Sequence, residues 1–203
     1  YSTMIAIFDW QHVGKPGRDD KGAAYDVDDD GEIDYEVELT DKYIQAAKNY
    51  LETAGHTVHI LSSGWYSARH YQANEIAKSA NGPVCYVACH MNAGRGNYGA
   101  TFYDLRSGGG KRLARTVGSM LGKACPELRR IVVKGTSVTT WSRANTTIKG
   151  IYAGPGNISG ICFEPAFMDT PEHKQLLTDE GLERIGEALA IGMLEWSSGG
   201  KIS

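Results

Sequence analysis

Short apolar segments alternate with amphipathic helical segments along this 203-residue chain, and that order constrains the fold more than any other feature. A strand, a helix and a strand in succession favour a parallel sheet, because parallel neighbours need a long crossover that a helix supplies. We therefore predict an α/β fold: a single domain with a twisted, mostly parallel central sheet flanked by helices on both faces. The chain length suits one such domain.

The apolar spacing also predicts where the elements lie. The predicted strands cover residues 4–9, 57–61, 83–89, 100–105 and 159–163, and the predicted helices cover residues 36–54, 67–80, 111–125 and 176–196. A glycine-rich turn is expected at residues 107–110 and a long polar loop at residues 10–35, whereas residues 129–157 show no clear pattern. Residues 1–196 are expected to form the domain, and residues 197–203 a linker or flexible C-terminal tail.

The composition excludes several classes of partner. A net charge of -3 and a sequence pI near 6.1 leave no general basic field for nucleic acid. No apolar run approaches the roughly 20 residues that span a bilayer, so no membrane segment is expected. The first residues lack the basic region and apolar core of a signal peptide, so we expect export by another route or a leader already removed.

The cysteines do not indicate a disulfide scaffold. Cys85, Cys89, Cys125 and Cys162 are few and scattered, and three of them lie inside strand-like runs. Free cysteine is among the most often buried residues, so we interpret all four as small buried thiols.

Polar residues follow the ends of several predicted strands. His12 and His90 each come just after a strand, Glu164 follows another, and Glu36 opens the first long helix. Ligand sites in open α/β sheets lie at this carboxyl edge. Two imidazoles and one carboxylate suit a catalytic zinc with an open fourth position. The one carboxylate that remains could serve as the general base. Singly, each has a plainer explanation, such as a surface histidine or a first-turn carboxylate favoured by the helix dipole.

The motifs around these residues resemble those of the zinc-dependent N-acetylmuramoyl-L-alanine amidases of type 3, found in autolysins and phage endolysins. Residues 7–14, IFDWQHVG, keep the aspartate, the histidine and the last glycine of the family's Asp-Pro-Gly-His-Gly-Gly motif. Residues 88–93, ACHMNA, match its Ser-Ile-His-x-Asn-Ala motif. Residues 163–167, FEPAF, and 169–172, DTPE, take the places of its catalytic glutamate and a following Asn-Pro-Glu stretch.

The resemblance implies a role for each of these positions. His12, Glu36 and His90 would bind one zinc, with Glu38 as a competing candidate for the place of Glu36, and Glu164 would be the catalytic base. Residues 1–196 would then be an amidase catalytic domain. Its substrate would be peptidoglycan, cut at the amide between the lactyl group of N-acetylmuramic acid and the L-alanine of the stem peptide.

A second metal site is suggested by the acidic part of the long loop. Residues 26–34, DVDDDGEID, follow the alternating Asp-x-Asp-x-Asp-Gly pattern of calcium loops. The candidate calcium ligands are Asp26, Asp28, Asp30, Glu32 and Asp34. The twelfth place holds Val37 instead of a bidentate glutamate, so a plain solvated acidic loop remains the alternative.

The remaining expectations concern substrate, partners and rivals. Asn92, Arg95, Arg143 and Asn145 are candidates for gripping the stem peptide or the sugar. The protein is expected to be a monomer that acts on the bacterial cell wall, either secreted or as a phage endolysin made in the host cytoplasm and released to the wall. One rival is a zinc carboxypeptidase of similar fold, with Arg143 or Arg130 holding the terminal carboxylate. Another is a metal-dependent cell-wall binding module without catalysis.

Overall fold

A computed structural model of the chain, which describes residues 3–153 and 157–199, has one six-stranded sheet with helices on both faces. The strands are β1 Ile5–Trp10, β2 Ala24–Tyr25, β3 Asp34–Tyr35, β4 Thr57–Leu61, β5 Val84–Cys89, β6 Gly99–Asp104, β7 Ile131–Thr136 and β8 Ser159–Glu164. The helices are α1 Glu36–Thr53, α2 Tyr66–Lys78, α3 Gly108–Ala124, α4 Ser142–Ala153 and α5 Asp179–Ser197, and a 3-10 helix, Pro171–Leu176, precedes α5. The predicted single-domain α/β fold is confirmed.

The order of the strands brings three chain segments to one edge of the sheet. The order is β4-β1-β5-β8-β6-β7, and every neighbouring pair is parallel except β8 and β6. Strands β1, β5 and β8 are adjacent and run in the same direction, so their carboxyl ends meet. The residues that follow these three strands therefore lie side by side.

Alternate residues of each central strand face the two helical layers. Phe8, Val87 and Phe163 belong to the larger core, where α1, α3 and α5 cover one face. Ile7 and Cys162 belong to the smaller core under α2 and α4. Because the sheet is covered on both faces, its central strands are apolar throughout, which is why they stand out in the sequence.

Two predicted helix starts are wrong by three residues. Residues 107–110 are not a turn: α3 begins at Gly108, and Ser107 caps it by accepting a hydrogen bond from the backbone N–H of Gly110. Helix α5 begins at Asp179 instead of residue 176, because Pro171–Leu176 forms a 3-10 turn. Thr178 caps α5 in the same way, accepting from the N–H of Gly181.

Two elements lie in the described residues of the segment without a clear pattern. Strand β7 forms the edge of the sheet, and α4 packs beside α2. At the other end, Ser197 is the last residue of α5, whereas residues 200–203 of the expected tail lie outside the described residues. All four cysteines are free and buried, as predicted. None of the helices in the described part of the chain is long and apolar enough to cross a membrane.

Candidate metal centre

Three predicted ligands meet at the carboxyl edge of β1 and β5. His12 lies two residues past β1, His90 directly follows β5, and Glu36 is the first residue of α1. The Oε1 atom of Glu36 lies 3.4 Å from Nε2 of His12 and 3.0 Å from Nδ1 of His90. The two imidazole nitrogens are 3.3 Å apart. One ligand atom from each side chain thus forms a small triangle.

The size of this triangle fits a tetrahedral zinc site. With zinc–ligand bonds of about 2.0–2.1 Å, neighbouring ligand atoms of a tetrahedron stand about 3.3 Å apart. The observed separations of 3.0, 3.3 and 3.4 Å are those of one face of such a tetrahedron. Two nitrogens and one carboxylate oxygen are also the donor set of catalytic zinc sites that leave a position open.

Asp20 fixes the orientation of the His12 ring. The Nδ1 atom of His12 lies 3.0 Å from Oδ1 of Asp20, and Lys15 donates to the other oxygen of that carboxylate at 2.6 Å. A carboxylate can only accept here, so the proton of a neutral His12 is on Nδ1 and the lone pair of Nε2 faces Glu36. Hydrogen bonds from Lys15, the Gly22 N–H and His12 outweigh desolvation and hold the pKa of Asp20 well below its usual range.

A buried ion pair between Arg69 of α2 and Asp9 of β1 fixes the loop that carries His12. His12 itself has a φ of +66°, a left-handed conformation that needs support from its surroundings. Arg69 of α2 is 1% exposed, pairs with the fully buried Asp9, and donates to the carbonyl oxygens of Trp10 and Val13 on either side of His12. The backbone around the ligand is therefore tied to α2.

Close packing against the next loop restricts the same segment further. Gly14 has a φ of +64°, and a Cβ atom there would lie 2.0 Å from the carbonyl oxygen of Ser62. The carbonyl of Gly14 also accepts from the N–H of Gly64 at 2.9 Å. Only glycine fits this contact, which accounts for the one motif glycine that the sequence keeps.

Glu36, and not Glu38, is brought to the two histidines. The Glu36 carboxylate is buried and accepts from the backbone N–H groups of Met91 and Ala23, at 3.1 and 2.9 Å. Glu38 instead accepts from the N–H of Tyr35 as part of the helix cap. Burial raises the pKa of Glu36, but the hydrogen bonds and charges of the two histidines outweigh it and lower the pKa well below its usual range. Burial likewise opposes the charged form of His12, and Glu36 with Asp20 raises its pKa on balance.

Glu164 shares a cavity of about 420 Å³ with the three ligands. It is the last residue of β8, not the residue after it as predicted, and its Oε2 accepts from the side-chain amide of Asn92 at 2.8 Å. Burial raises the pKa of Glu164; the nearby His90 opposes the shift and Glu36 adds to it. The site therefore holds a carboxylate that takes up a proton more readily than a carboxylate in water.

The four predicted substrate-binding residues are placed differently. Arg143 lines the same cavity, and Asn92 contacts Glu164. Arg95 is exposed, and its backbone N–H donates to Asp169. Asn145 is buried and donates to Asp104 at 3.2 Å, in a neighbouring cavity. The structure thus brings Asn92 and Arg143 to the centre, and leaves Arg95 and Asn145 outside its lining.

The acidic loop forms a second cluster, in the small hairpin of β2 and β3. One carboxylate oxygen each from Asp26, Asp28 and Asp34 lies within 4.8 Å of the others. Asp30 and Glu32 are exposed and fall outside this group, and an oxygen of Asp30 accepts from the N–H of Glu32. Several of these carboxylates accept from the loop's own N–H groups, as they would in a plain acidic turn.

The residues that support the ligands carry little signal in the sequence. Asp20, Lys15, Asp9 and Arg69 were not singled out, although Asp9 belongs to the first motif. The signal available for Asp20 was its place in a long loop that also carries His12, but no periodicity distinguishes it there from Asp19. Arg69 lies in a predicted helix, and an arginine in a helix is usually exposed, so nothing in the sequence indicates that it is buried.

Comparison with known proteins gives a consistent result. Residues 9–195 match the model of a protein family described as N-acetylmuramoyl-L-alanine amidase. The fold is similar to that of the CwlD amidase from Clostridioides difficile, solved in complex with the GerS lipoprotein, with 19% identity and a TM-score of 0.71 over 96% of this chain and 98% of that chain. It is also similar to an N-acetylmuramoyl-L-alanine amidase of Nostoc punctiforme, with 17% identity and a TM-score of 0.69 over 95% of this chain and 96% of that chain.

A third similar structure is the catalytic domain of CwlV, an N-acetylmuramoyl-L-alanine amidase from Bacillus (Paenibacillus) polymyxa. It shares 16% identity and a TM-score of 0.69, over 96% of this chain and 98% of that chain. At these identities the structural matches show a common fold. No curated protein matches the chain.

Proposed function

This chain belongs to the type 3 family of N-acetylmuramoyl-L-alanine amidases, and on that premise we propose that it is a zinc-dependent hydrolase of peptidoglycan. The bond cut is the amide between the lactyl group of N-acetylmuramic acid and the L-alanine of the stem peptide. The observation that carries the proposal is the triangle of His12, Glu36 and His90 in one cavity with the carboxylate of Glu164, which is not part of the triangle.

The ligand triangle would hold zinc through Nε2 of His12, Nδ1 of His90 and a carboxylate oxygen of Glu36. When bound, zinc supplies a Lewis acid that activates water and polarises a carbonyl group. Asp20 keeps the His12 ring in the tautomer that such binding needs, because it accepts the Nδ1 proton. The two backbone N–H groups on Glu36 fix its carboxylate before any metal arrives.

Glu164 carries the proton transfers in this mechanism. It accepts the proton that the attacking water loses, and it delivers that proton to the departing amine of L-alanine, which leaves poorly unless protonated. Burial raises the pKa of Glu164 towards the working pH, which suits a group that must both take and release a proton. The amide of Asn92 holds one oxygen of the carboxylate in place during both steps.

The carboxypeptidase rival has one specific observation in its favour. Arg143 lines the cavity and carries a charge that would fit the free carboxylate of a peptide end. The other candidate for that clamp, Arg130, instead stacks its guanidinium 5.4 Å from the ring centre of Tyr98. A non-catalytic wall-binding module has less support, because it has no use for the desolvated carboxylate of Glu164.

The substrate places the action of the protein at the bacterial cell wall. We infer that it reaches the wall either by secretion or, as a phage endolysin, by release from the host cytoplasm. Its one required partner in this proposal is peptidoglycan, which it binds as a monomer.

Mass spectrometry of the products from purified peptidoglycan tests the proposal directly. Amidase action releases intact stem peptides with a free L-alanine amine and leaves muramyl sugars with a free lactyl carboxylate. Carboxypeptidase action releases single amino acids and leaves the lactyl amide intact. Loss of single amino acids without any free L-alanine amine would reject the amidase assignment in favour of the rival.

Glu164→Gln separates metal binding from chemistry. Glutamine keeps the shape of the side chain but cannot accept a proton, so turnover should fall by about 10²–10⁴-fold, the usual contribution of general acid–base catalysis. The loss should fall on kcat and not on KM. Zinc content and melting temperature should stay close to those of the unmodified protein. A variant that keeps near-normal hydrolysis removes Glu164 from the mechanism, and one that sheds zinc makes it a metal ligand.

A further inference from the structure

A second cavity adjoins the candidate metal centre and extends it into a groove. The second cavity has a volume of about 500 Å³ and shares Tyr66 and Thr146 with the cavity that holds the ligands. It lies between the first turn of α2 and the exposed side of α4, and Trp65 and Lys149 belong to its walls. A chain-like substrate that leaves the centre between Tyr66 and Thr146 therefore enters this groove.

Charge distinguishes the two arms of a peptidoglycan substrate. The scissile amide joins a glycan, which is neutral beside this bond, to a stem peptide that carries carboxylates. Lys149 is exposed and is the one residue with a full charge among the described residues that line the second cavity. Burial lowers the pKa of His70, also in the wall; Lys149 adds to this shift, and the hydrogen bond to the Thr147 carbonyl and the charge of Asp9 oppose it. The groove is thus complementary to an anion.

Lys149 and Arg143 are free to bind such an anion. Neither side chain forms an ion pair or a hydrogen bond with any other described residue. The other lysine beside the centre, Lys15, is buried and already pairs with Asp20. Because Asp20 neutralises Lys15, the positive charges that a ligand in the groove contacts are those of Arg143 and Lys149.

The spacing of these two cations sets where along the peptide each would act. Arg143 and Lys149 are six positions apart on α4, which at 1.5 Å per residue is about 9 Å along the helix axis. An extended peptide covers about 3.3 Å per residue, so this distance spans about three residues. With L-alanine at the metal centre and Arg143, which lines that cavity, beside it, Lys149 falls beside the third or fourth residue of the stem.

We propose that the groove between α2 and α4 is the subsite for the stem peptide, and that Lys149 binds a carboxylate of its third or fourth residue. This inference rests on the proposed function, and it makes Lys149 a specificity-determining residue for that reaction. The protein therefore prefers long stem peptides with free carboxylates over truncated or amidated ones.

The test compares two soluble substrates of defined length. N-acetylmuramoyl dipeptide ends before the proposed contact, and N-acetylmuramoyl tetrapeptide with free carboxylates reaches it. The measured quantity is the ratio of kcat/KM for the tetrapeptide to kcat/KM for the dipeptide. An exposed ion pair contributes up to about 1 kcal/mol, so we expect a ratio of about five for the unmodified protein, most of it in KM. Amidation of the third and fourth carboxylates, or high salt, should lower the ratio towards one.

Substitutions at Lys149 complete the test. Lys149→Gln should bring the ratio towards one, and Lys149→Arg should keep most of it, since both residues suit this exposed helix position. Lys123→Gln, an equal change of charge on α3 across the sheet, is the matched control and should keep the ratio.

Four results would overturn the inference. If the unmodified protein cleaves both substrates with equal kcat/KM, or if Lys149→Gln keeps the tetrapeptide-to-dipeptide ratio of kcat/KM, Lys149 does not bind the stem peptide in the groove. If Lys123→Gln lowers the ratio as much as Lys149→Gln, the effect is one of net charge. If the unmodified protein cleaves neither substrate nor intact peptidoglycan, the proposed function fails and takes this inference with it, so the two failures are distinguishable.

Discussion

Replacing Arg69 with methionine should destabilise the domain and loosen the metal centre together. The guanidinium of Arg69 donates to Asp9 and to four backbone carbonyls, those of Trp10, Val13, Leu61 and Gly64. Both charged partners are at most 1% exposed. Methionine keeps the length of the side chain but supplies none of these hydrogen bonds, so a buried carboxylate loses its counter-ion.

The size of the effect follows from that burial. Removing one partner of a buried ion pair typically costs about 3–5 kcal/mol, because the charge that remains is not compensated. Two groups still donate to Asp9, the hydroxyl of Tyr86 and the amide of Gln11, which places the expected loss at the lower part of that range. For a domain of this length, about 1 kcal/mol shifts the melting temperature by roughly 2–4 °C, so we expect a fall of about 10 °C.

Denaturant unfolding and zinc titration of the same preparations measure both consequences. Arg184→Met is the matched control, because Arg184 pairs with Glu127 at 2.6 Å but its side chain is 39% exposed, and such a pair contributes about 1 kcal/mol or less. Since two of the lost hydrogen bonds flank His12, zinc affinity should fall about 10-fold or more in Arg69→Met only. Equal losses of unfolding free energy in the two variants, or unchanged zinc affinity in Arg69→Met, would refute this reasoning.

Three further predictions test other parts of the molecule. Elemental analysis should find about one zinc in the protein, and His12→Ala and His90→Ala should lose both zinc and activity. Asp20→Asn should weaken zinc affinity about 10–100-fold. Full zinc occupancy in either histidine variant contradicts the ligand assignment. Calcium should raise the melting temperature through the acidic loop, and much less in Asp28→Ala than in the control Asp19→Ala; a melting curve that calcium leaves unchanged makes the loop a plain acidic turn. Burial lowers the pKa of His173, whose Nδ1 accepts a hydrogen bond from the N–H of Phe167. Below about pH 6.5 the unfolded chain therefore binds a proton that the native state does not bind, and the unfolding free energy falls. The slope of unfolding free energy against pH should be smaller in His173→Leu, and an equal slope rules out this contribution.

The parts of the fold that the sequence predicts are those with a strong local pattern. The central strands are covered on both faces, so their apolar runs are continuous and the ends carrying His12 and His90 are easy to place. The glycines at residues 108–110 favour a turn because their helix propensity is poor, but tertiary packing overrides this preference. Gly109 and Gly110 lie against Ser159 and Gly160 of β8, where a Cβ atom would come within 2.2–2.8 Å.

Helix α4 was missed for a related reason. Its threonines and Gly150 have low helix propensity, and the helix depends on its contacts for stability. A Cβ atom on Gly150 would lie 2.2 Å from Nδ1 of His70, which shows how closely α4 packs against α2. Such a contact joins residues 80 positions apart, and no local pattern in the sequence records it. The ion pair of Asp9 with Arg69 joins residues 60 positions apart, so the same reason applies to it. Asp20 and Lys15 are only five positions apart, but they lie in an irregular loop whose shape no periodicity predicts.

The balance of buried charge around the site gives a reason for the kind of ion it would take. Asp9 is balanced by Arg69 and Asp20 by Lys15, each through a direct ion pair. Among the described residues around the cavity, the carboxylates of Glu36 and Glu164 form no ion pair with a lysine or an arginine, although burial desolvates both of them. Uncompensated buried charge is costly, and a divalent cation at the ligand triangle offsets it. Under the proposed function the same balance suits Glu164 to proton transfer: Glu36 would share its charge with the metal, and Glu164 would be the carboxylate left to take up a proton.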